Sequence, residues 1–333
     1  MTVRCAQIAG VGSALPPRVV PNSWFETIVD TNDEWIRERT GIGARRFADK
    51  SQVTSDLSTD AATRALESAG VAAEQLDLIV VATLTPDRPL PATAVTVQRN
   101  LGVSCPAFDI NAACSGFSYG LAIAAAMIGA GAAETVLVVG AEILSRFLNM
   151  QDRGTCILFG DGAGAAVLAL SDEPGIIDSV LAADGTGAEL LTIPAGGTAH
   201  PPTQATLWSG AHFIHMASGR EVYKRAVNGM TDSSRRVLEK SGYTPEDVAL
   251  LVPHQANARI MATVADRLGI PAERCALDVE EVGNTSAASI PIALDRAWRA
   301  GRIEPGDLVL LTSFGGGLAW GANLVRWTAP APS

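Results

Sequence analysis

The sequence predicts an α/β fold made of two similar halves. Three observations predict it. Stretches of helical periodicity alternate with short apolar runs along all 333 residues. The apolar runs are near-continuous, as in LDLIVVAT (76–83) and TVLVVGAE (135–142), which suits strands covered on both faces. The pattern also repeats: residues 61–80 laid over 233–252 coincide at seven of twenty positions without a gap. Further on, RNLGV (99–103) sits over DRLGI (266–270).

The elements follow in order. An apolar run after Arg4, broken by Gly10, Gly12 and Pro16, reads as a first strand and turn, not a signal peptide. Helices are expected over 57–69, 93–100 and 115–128, interleaved with strands at 76–83, 107–111 and 135–142. Residues 110–133 carry no formal charge and could span a bilayer by length. Asn111, two serines, four glycines and an alanine-rich composition make a buried helix the better reading. SDEPG (171–175) then interrupts the pattern and divides a first half, 1–172, from a second, 173–333. In the second half, helices are expected over 222–240, 258–268 and 287–299, with strands at 249–252 and 308–312. Each half runs through a short strand to a small-residue turn opening an alanine-rich helix, AACSG around Cys114 and GNTSA around Asn284. Halves packed as pseudo-twofold mates would bring those turns together.

Composition narrows the function classes. With 47% hydrophobic and 18% charged residues the chain is not disordered. A net charge of −10 argues against general nucleic-acid binding, though not against a local basic patch. Five cysteines (Cys5, Cys105, Cys114, Cys156, Cys275) are odd in number and widely spaced, without C-x-x-C. They read as free thiols in a reducing compartment, so the expected location is the cytoplasm. Cys156 and Cys275 fall in strand-like apolar runs and read as packing residues.

Four places could carry chemistry. Cys114 lies between a strand end and a helix start, where the helix dipole favours a thiolate. A small buried cysteine is the plainer reading. His254, in VPHQANARI, ends a strand, where catalytic groups gather in α/β sheets, or it is a hydrogen-bonded structural histidine. Asn284 can cap a helix or donate to an oxyanion. FGGGLAWG (314–321) lets backbone N–H groups approach a ligand, or forms a hairpin turn. FGDGAGA, from Phe159, lacks phosphate-loop spacing and reads as close strand packing. His212 and His215 have no sequence-local third ligand, so no metal site is expected. A cysteine, a histidine, an asparagine and a glycine run on separate turns suit acyl transfer.

With these motifs in hand the chain resembles the β-ketoacyl-acyl-carrier-protein synthase III family. The likeness runs from GVGSALP (10–16) to LVRW (324–327), through DTNDEWIRERTGI, AFDINAACSGF, DRGTCILFGDGAGAAVL, VPHQANARI, GNTSAASIPIAL and SFGGGLAWG. The resemblance implies a thiolase-like duplicated fold, a five-layer αβαβα sandwich, and a homodimer. It implies a decarboxylative condensation of an acyl-CoA primer with malonyl-ACP, initiating fatty-acid synthesis. Coenzyme A would be a substrate, and no cofactor, membrane or nucleic acid is implied.

By motif, Cys114 would be acylated, His254 and Asn284 would complete a triad, and the N–H groups of Cys114 and Gly316 would hold the oxyanion. Phe314 would steer the malonyl carboxylate toward loss. Trp35 and Arg153 would bracket the adenine of coenzyme A, with Arg39 and Asn257 as further contacts. Arg259, Lys224, Arg225 and Arg267 would dock the acidic carrier protein, although Asp266 stands where relatives often place a second basic residue. Phe159 and Leu90 would shape the acyl pocket, Leu90 standing where many relatives carry Phe at the tip closing the partner subunit's pocket. That change would admit a longer or branched primer. The alternative functions are a paralogous priming ketosynthase or acyltransferase of a polyketide or other secondary pathway. A silent subunit or a coenzyme-A-binding regulator would lack the covalent step.

Overall fold

The computed structural model describes residues 4–331. Two β-sheets carry the fold. The first contains β1 (Cys5–Ala14), β2 (Leu78–Ala82), β3 (Ala107–Ile110), β4 (Thr135–Glu142) and β5 (Gly162–Ser171), in the order β1-β5-β4-β2-β3. The second contains β6 (Ile176–Ala183), β7 (Leu250–Pro253), β8 (Leu308–Gly315) and β9 (Ala319–Arg326), in the order β7-β8-β9-β6.

The same strand scheme occurs twice. β1 runs antiparallel to β5, β5 antiparallel to β4, and β4 parallel to β2. Likewise β6 is antiparallel to β9, β9 antiparallel to β8, and β8 parallel to β7. β3 lies parallel beside β2, and at the matching place a single parallel bridge joins Leu251 to Cys275. The repeat read in the sequence is thus a repeat of topology.

Six helices complete five layers: α1 (Thr54–Ala69), α2 (Thr93–Leu101), α3 (Gly116–Gly129), α4 (Gly219–Ser241), α5 (Ala258–Leu268) and α6 (Ser289–Arg299). α1 and α2 cover the outer face of the first sheet, where Leu57 and Ala61 meet Ile79, Val81 and Val139. α3 and α6 fill the middle, where Phe117, Leu121, Ile290 and Leu294 meet Val80 and Val138 from one sheet and Val252 and Leu311 from the other. α4 and α5 cover the far face, with Met230 and Val264 against Leu251 and Leu310. Odd and even positions of the inner strands are both buried, which explains their unbroken apolar runs.

α1, α2, α4 and α5 each end at a left-handed glycine: Gly70, Gly102, Gly242 and Gly269. These glycines correspond between the halves. The FGDGAGA glycines pack closely, as read: a Cβ on Gly164 would stand 2.8 Å from Ile292 N of α6. The uncharged stretch 110–133 becomes the end of β3, a turn and α3 inside the middle layer. Among the described residues no helix is long and apolar enough to cross a membrane.

One reading is corrected. Cys156 and Cys275 do not lie in strands. Cys156 closes a short helix, Arg153–Cys156, started by Asp152 accepting from Gly154 N–H at 2.9 Å. Cys275 follows a 3-10 turn, Ala272–Arg274, and makes only the one bridge. Both are buried as expected.

Candidate active site

The two turns are built alike. After β3, Asn111 Oδ1 accepts the Ala113 N–H at 3.1 Å, and Ala113 takes φ of +46°. A 3-10 turn, Ala113–Ser115, then opens α3. In the second half Asn284 Oδ1 accepts the Ser286 N–H at 2.9 Å, and Ser286 takes φ of +50°. A 3-10 turn, Ser286–Ala288, opens α6. The two turns pack against one another in the middle layer. Such kinks cost energy at non-glycine residues and persist where surrounding structure fixes them.

That packing brings Cys114, Asn284 and His254 to one cavity of about 540 Å³. All three are buried. His254 follows β7, with its N–H bonded to Thr312 O at 2.8 Å. Its Nδ1 lies 2.6 Å from Ser289 Oγ. Ser289 Oγ also accepts from the Gln255 N–H at 3.3 Å, and among the described residues its proton has no acceptor other than Nδ1. The ring proton therefore belongs on Nε2. Burial pushes the imidazole down to about 3, so the ring is neutral at ordinary pH. The oxygen of Asn284 is taken by its own turn, so its Nδ2 is the end left for the cavity.

Cys114 corrects one expectation. Burial pushes its thiol up to about 11. The helix start does not make a standing thiolate here. The glycine run satisfies both its readings. It forms the β8–β9 hairpin, and it approaches Cys114 closely. A Cβ on Gly315 would stand 2.6 Å from Cys114 N, so only glycine fits there. Phe314 is buried, lines the same cavity, and stacks on Trp320 with centroids 6.2 Å apart.

At the mouth of this cavity stand Trp35, Arg39, Arg153, Asn257 and Arg259. Trp35 rides on a helix, Asp33–Thr40, whose first turn is capped by Asn32 accepting from Trp35 N–H at 2.7 Å. The guanidiniums of Arg39 and Arg153 lie 4.9 and 4.5 Å from its ring centroid. Asn257 caps α5 through Arg259 N–H at 2.9 Å and donates to Arg39 O at 3.0 Å, tying the mouth to α5.

The basic candidates separate. Arg259 lies at the rim and Lys224 is exposed on α4. Arg225 is paired with Asp184 and Glu221, at 2.8 and 2.9 Å. Arg267 lies about 12 Å along α5 from Arg259, at 1.5 Å per residue, and donates to Asn228.

A second cavity, of about 690 Å³, also reaches Cys114 and includes Leu84, Phe147, Ile193 and Ile214. Phe159 and Leu191 line both cavities. Leu90 is 84% exposed and lines neither, although Arg88 and Pro89 line the second. Sequence reasoning missed Ser286, Ser289 and Glu142. The one visible signal was Glu142 itself, a carboxylate ending the otherwise apolar strand TVLVVGAE.

A duplicated five-layer fold with a cysteine turn at its centre defines a thiolase-type condensing acyltransferase. Residues 108–185 match the family described as 3-oxoacyl-[acyl-carrier-protein (ACP)] synthase III, and residues 238–327 match its C-terminal counterpart. The chain is 51% identical to the beta-ketoacyl-[acyl-carrier-protein] synthase III of Roseiflexus sp. (strain RS-1), over 97% of this chain and 99% of that one. The crystal structure of 3-oxoacyl-[acyl-carrier-protein] synthase III from Aquifex aeolicus VF5 superposes with a TM-score of 0.89 at 46% identity, covering 97% of this chain and 100% of that one. The priming beta-ketosynthase of the R1128 polyketide biosynthetic pathway superposes at 0.91 and 37% identity, covering 98% and 97%. The chain belongs to the β-ketoacyl-acyl-carrier-protein synthase III family, the initiating condensing enzymes of fatty-acid synthesis.

Proposed function

We propose that the protein transfers an acyl group from acyl-CoA to Cys114 and condenses it with malonyl-ACP, releasing CO2 and β-ketoacyl-ACP. The observation that carries this reading is the burial of Cys114, His254 and Asn284 around one cavity with the His254 proton held on Nε2. In the first half-reaction the Cys114 sulfur attacks the thioester carbonyl. The N–H groups of Cys114 and Gly316 receive the oxyanion, and one such donor is typically worth ~100 to 1000-fold in rate. In the second, malonyl-ACP decarboxylates. His254 Nε2–H and Asn284 Nδ2–H donate to its thioester oxygen and hold the enolate, and Phe314 presents an apolar wall to the departing carboxylate. The enolate carbon then attacks acyl-Cys114.

Trp35 and Arg153 would hold the adenine, Arg39 a phosphate, and Asn257 the pantetheine arm. Coenzyme A enters as substrate and the steps use no cofactor. Arg259 and Lys224 are the better docking candidates for the carrier, and Arg267 the weaker, because it already serves Asn228. Phe159 and the second cavity would house the primer. Leu90 would reach a partner subunit's pocket, consistent with its exposure. A homodimer is further supported by β3, an edge strand with Phe108 37% exposed. We read 1–172 and 173–333 as the two halves, supported by the turn between β5 and β6, and the cytoplasm as the location.

The test is intact-protein mass spectrometry with a panel of acyl-CoAs, followed by malonyl-ACP. The expected result is an adduct on Cys114 that disappears as β-ketoacyl-ACP forms. An adduct that moves to another acceptor without decarboxylation would favour an acyltransferase of a secondary pathway. No adduct in any case would overturn coenzyme-A priming.

A further inference from the structure

Arg45 is fully buried and lines neither cavity. It lies on a short strand, Ala44–Phe47, paired with Arg18–Pro21. Its hydrogen-bond partners are neutral. Nη1 donates to Asn22 Oδ1 at 2.8 Å and to Val20 O at 3.3 Å, and Nη2 donates to Ile157 O. The guanidinium carbon lies 4.4 Å from the centre of the Phe25 ring. A charge buried among neutral groups costs stability, and an apolar side chain would fill the same space without that cost. What arginine supplies instead is a planar fork that reaches two segments at once.

Those segments are the two walls of the mouth around Trp35. Ile157 closes the Arg153–Cys156 helix. Asn22, itself buried, turns its amide to the other wall, where Nδ2 donates to Asp33 Oδ1 at 2.8 Å and to Ile42 O at 2.7 Å. Asp33 opens the helix that carries Trp35 and Arg39, and Ile42 lies two residues past its end. Asn22 thus holds that helix at both ends, and Arg45 joins it to the helix that carries Arg153. A second tie between the walls lies at the surface, where Arg153 Nη1 donates to Asp30 O at 2.7 Å. The Arg153 guanidinium stands 4.5 Å from the Trp35 ring centroid, whereas a purine between them needs about 7 Å, two stacking separations of about 3.5 Å each. Admitting the base therefore moves the Arg153 side chain and disturbs the surface tie, while the buried one stays.

We propose that Arg45, acting through Asn22, is a positioning residue for coenzyme A. It fixes the spacing of the Trp35 and Arg153 helices, and so confers a preference for acyl donors that carry the adenosine end over bare pantetheine thioesters. This rests on the reading that Trp35 and Arg153 hold the adenine. Because Arg45 lines neither cavity, its loss leaves the chemistry at Cys114 intact. Lysine at this position would keep the charge but offer one point donor in place of the fork.

The test compares acyl-CoA with the matching acyl-pantetheine, which lacks the adenosine and its phosphates. The rate constant for adduct formation on Cys114 is read by mass. The native enzyme should prefer acyl-CoA. In Arg45→Lys and Arg45→Met the rate constant for acyl-CoA should fall at least ~10-fold, as for the loss of one aromatic stacking contact. That for acyl-pantetheine should stay unchanged, as should malonyl-ACP decarboxylation. In a Trp35→Ala background Arg45→Lys should change nothing further, since both act on one contact. Equal losses with the two donors would make Arg45 a general support and overturn the proposal, and so would no loss with either. Should the Arg45 variants not fold, Asn22→Ser, which removes the amide holding the Trp35 helix, decides by the same ratio. A native enzyme that uses both donors equally would sink the parent reading and the proposal with it. A native preference that the variants keep sinks the proposal alone.

Discussion

Ser289 fixes what His254 can do. Without its hydroxyl, Nδ1 loses the donor that keeps the ring proton on Nε2. Ser289→Ala is expected to slow malonyl-ACP decarboxylation at least ~10-fold, by analogy with loss of a hydrogen-bonded partner of a catalytic group, with little change in the KM for acyl-CoA. Ser289→Thr should restore part of the rate. His254 is held neutral by burial, its pKa lying below the ordinary 6.5. Decarboxylation should then show no acid limb near pH 6.5, and a limb with that midpoint would show an ordinary, solvated ring. The sign for stability follows: the contribution of neutral His254 is full above pH 6.5 and is lost as pH falls toward about 3. Glu142 has the opposite sign, its contribution being full below 4.5 and lost as pH rises through about 7. Cys114 and His254 stood out in the sequence because each follows an apolar strand, β3 and β7, whereas the short strand expected before Asn284 is a helix, Val279–Val282, and Asn284 stood out only through its small-residue turn. Ser286, Ser289 and Glu142 did not, since nothing local to a serine or a strand-end carboxylate says which buried group it will face.

At the scale of elements, the β8–β9 hairpin is the tightest constraint on the Cys114 turn. Gly315→Ala would put a methyl group against the Cys114 amide. The expected result is about 1–3 kcal/mol of lost stability, the usual cost of overpacking, seen as a lower Tm. Acyl-adduct formation should slow as well, because the displaced Cys114 amide is one of the N–H groups proposed to receive the oxyanion. A variant with unchanged Tm and acylation would show that the hairpin yields freely. The long elements were legible to within a few residues; α5 spans 258–268 as read. Their periodicity is set by burial along many turns. The Arg153–Cys156 helix was not legible, because four residues carry no period and one Asp152 cap decides their form.

For the whole molecule, two cavities reach Cys114, one lined by Trp35 and the other by Ile193 and Ile214. Trp35→Ala should raise the KM for acyl-CoA about tenfold, in line with a lost aromatic stacking contact of 1–3 kcal/mol, without touching malonyl-ACP decarboxylation. Equal losses in both would mean that Trp35 supports the site rather than the coenzyme. Sedimentation should give a dimer, and Phe108→Lys on the β3 edge should shift it toward monomer. The repeat was legible because strand and helix-end residues coincide between halves. The order of layers came from the resemblance, since periodicity says that a strand is covered but not by which helix. The paired kinks at Ala113 and Ser286 are what duplication of one half would leave behind. A half-length ancestor pairing with itself would have set two identical asparagine turns face to face. Fusion would have let them diverge: Asn111 is exposed and Asn284 is buried in the cavity that Cys114 lines, while both still accept the N–H two residues on.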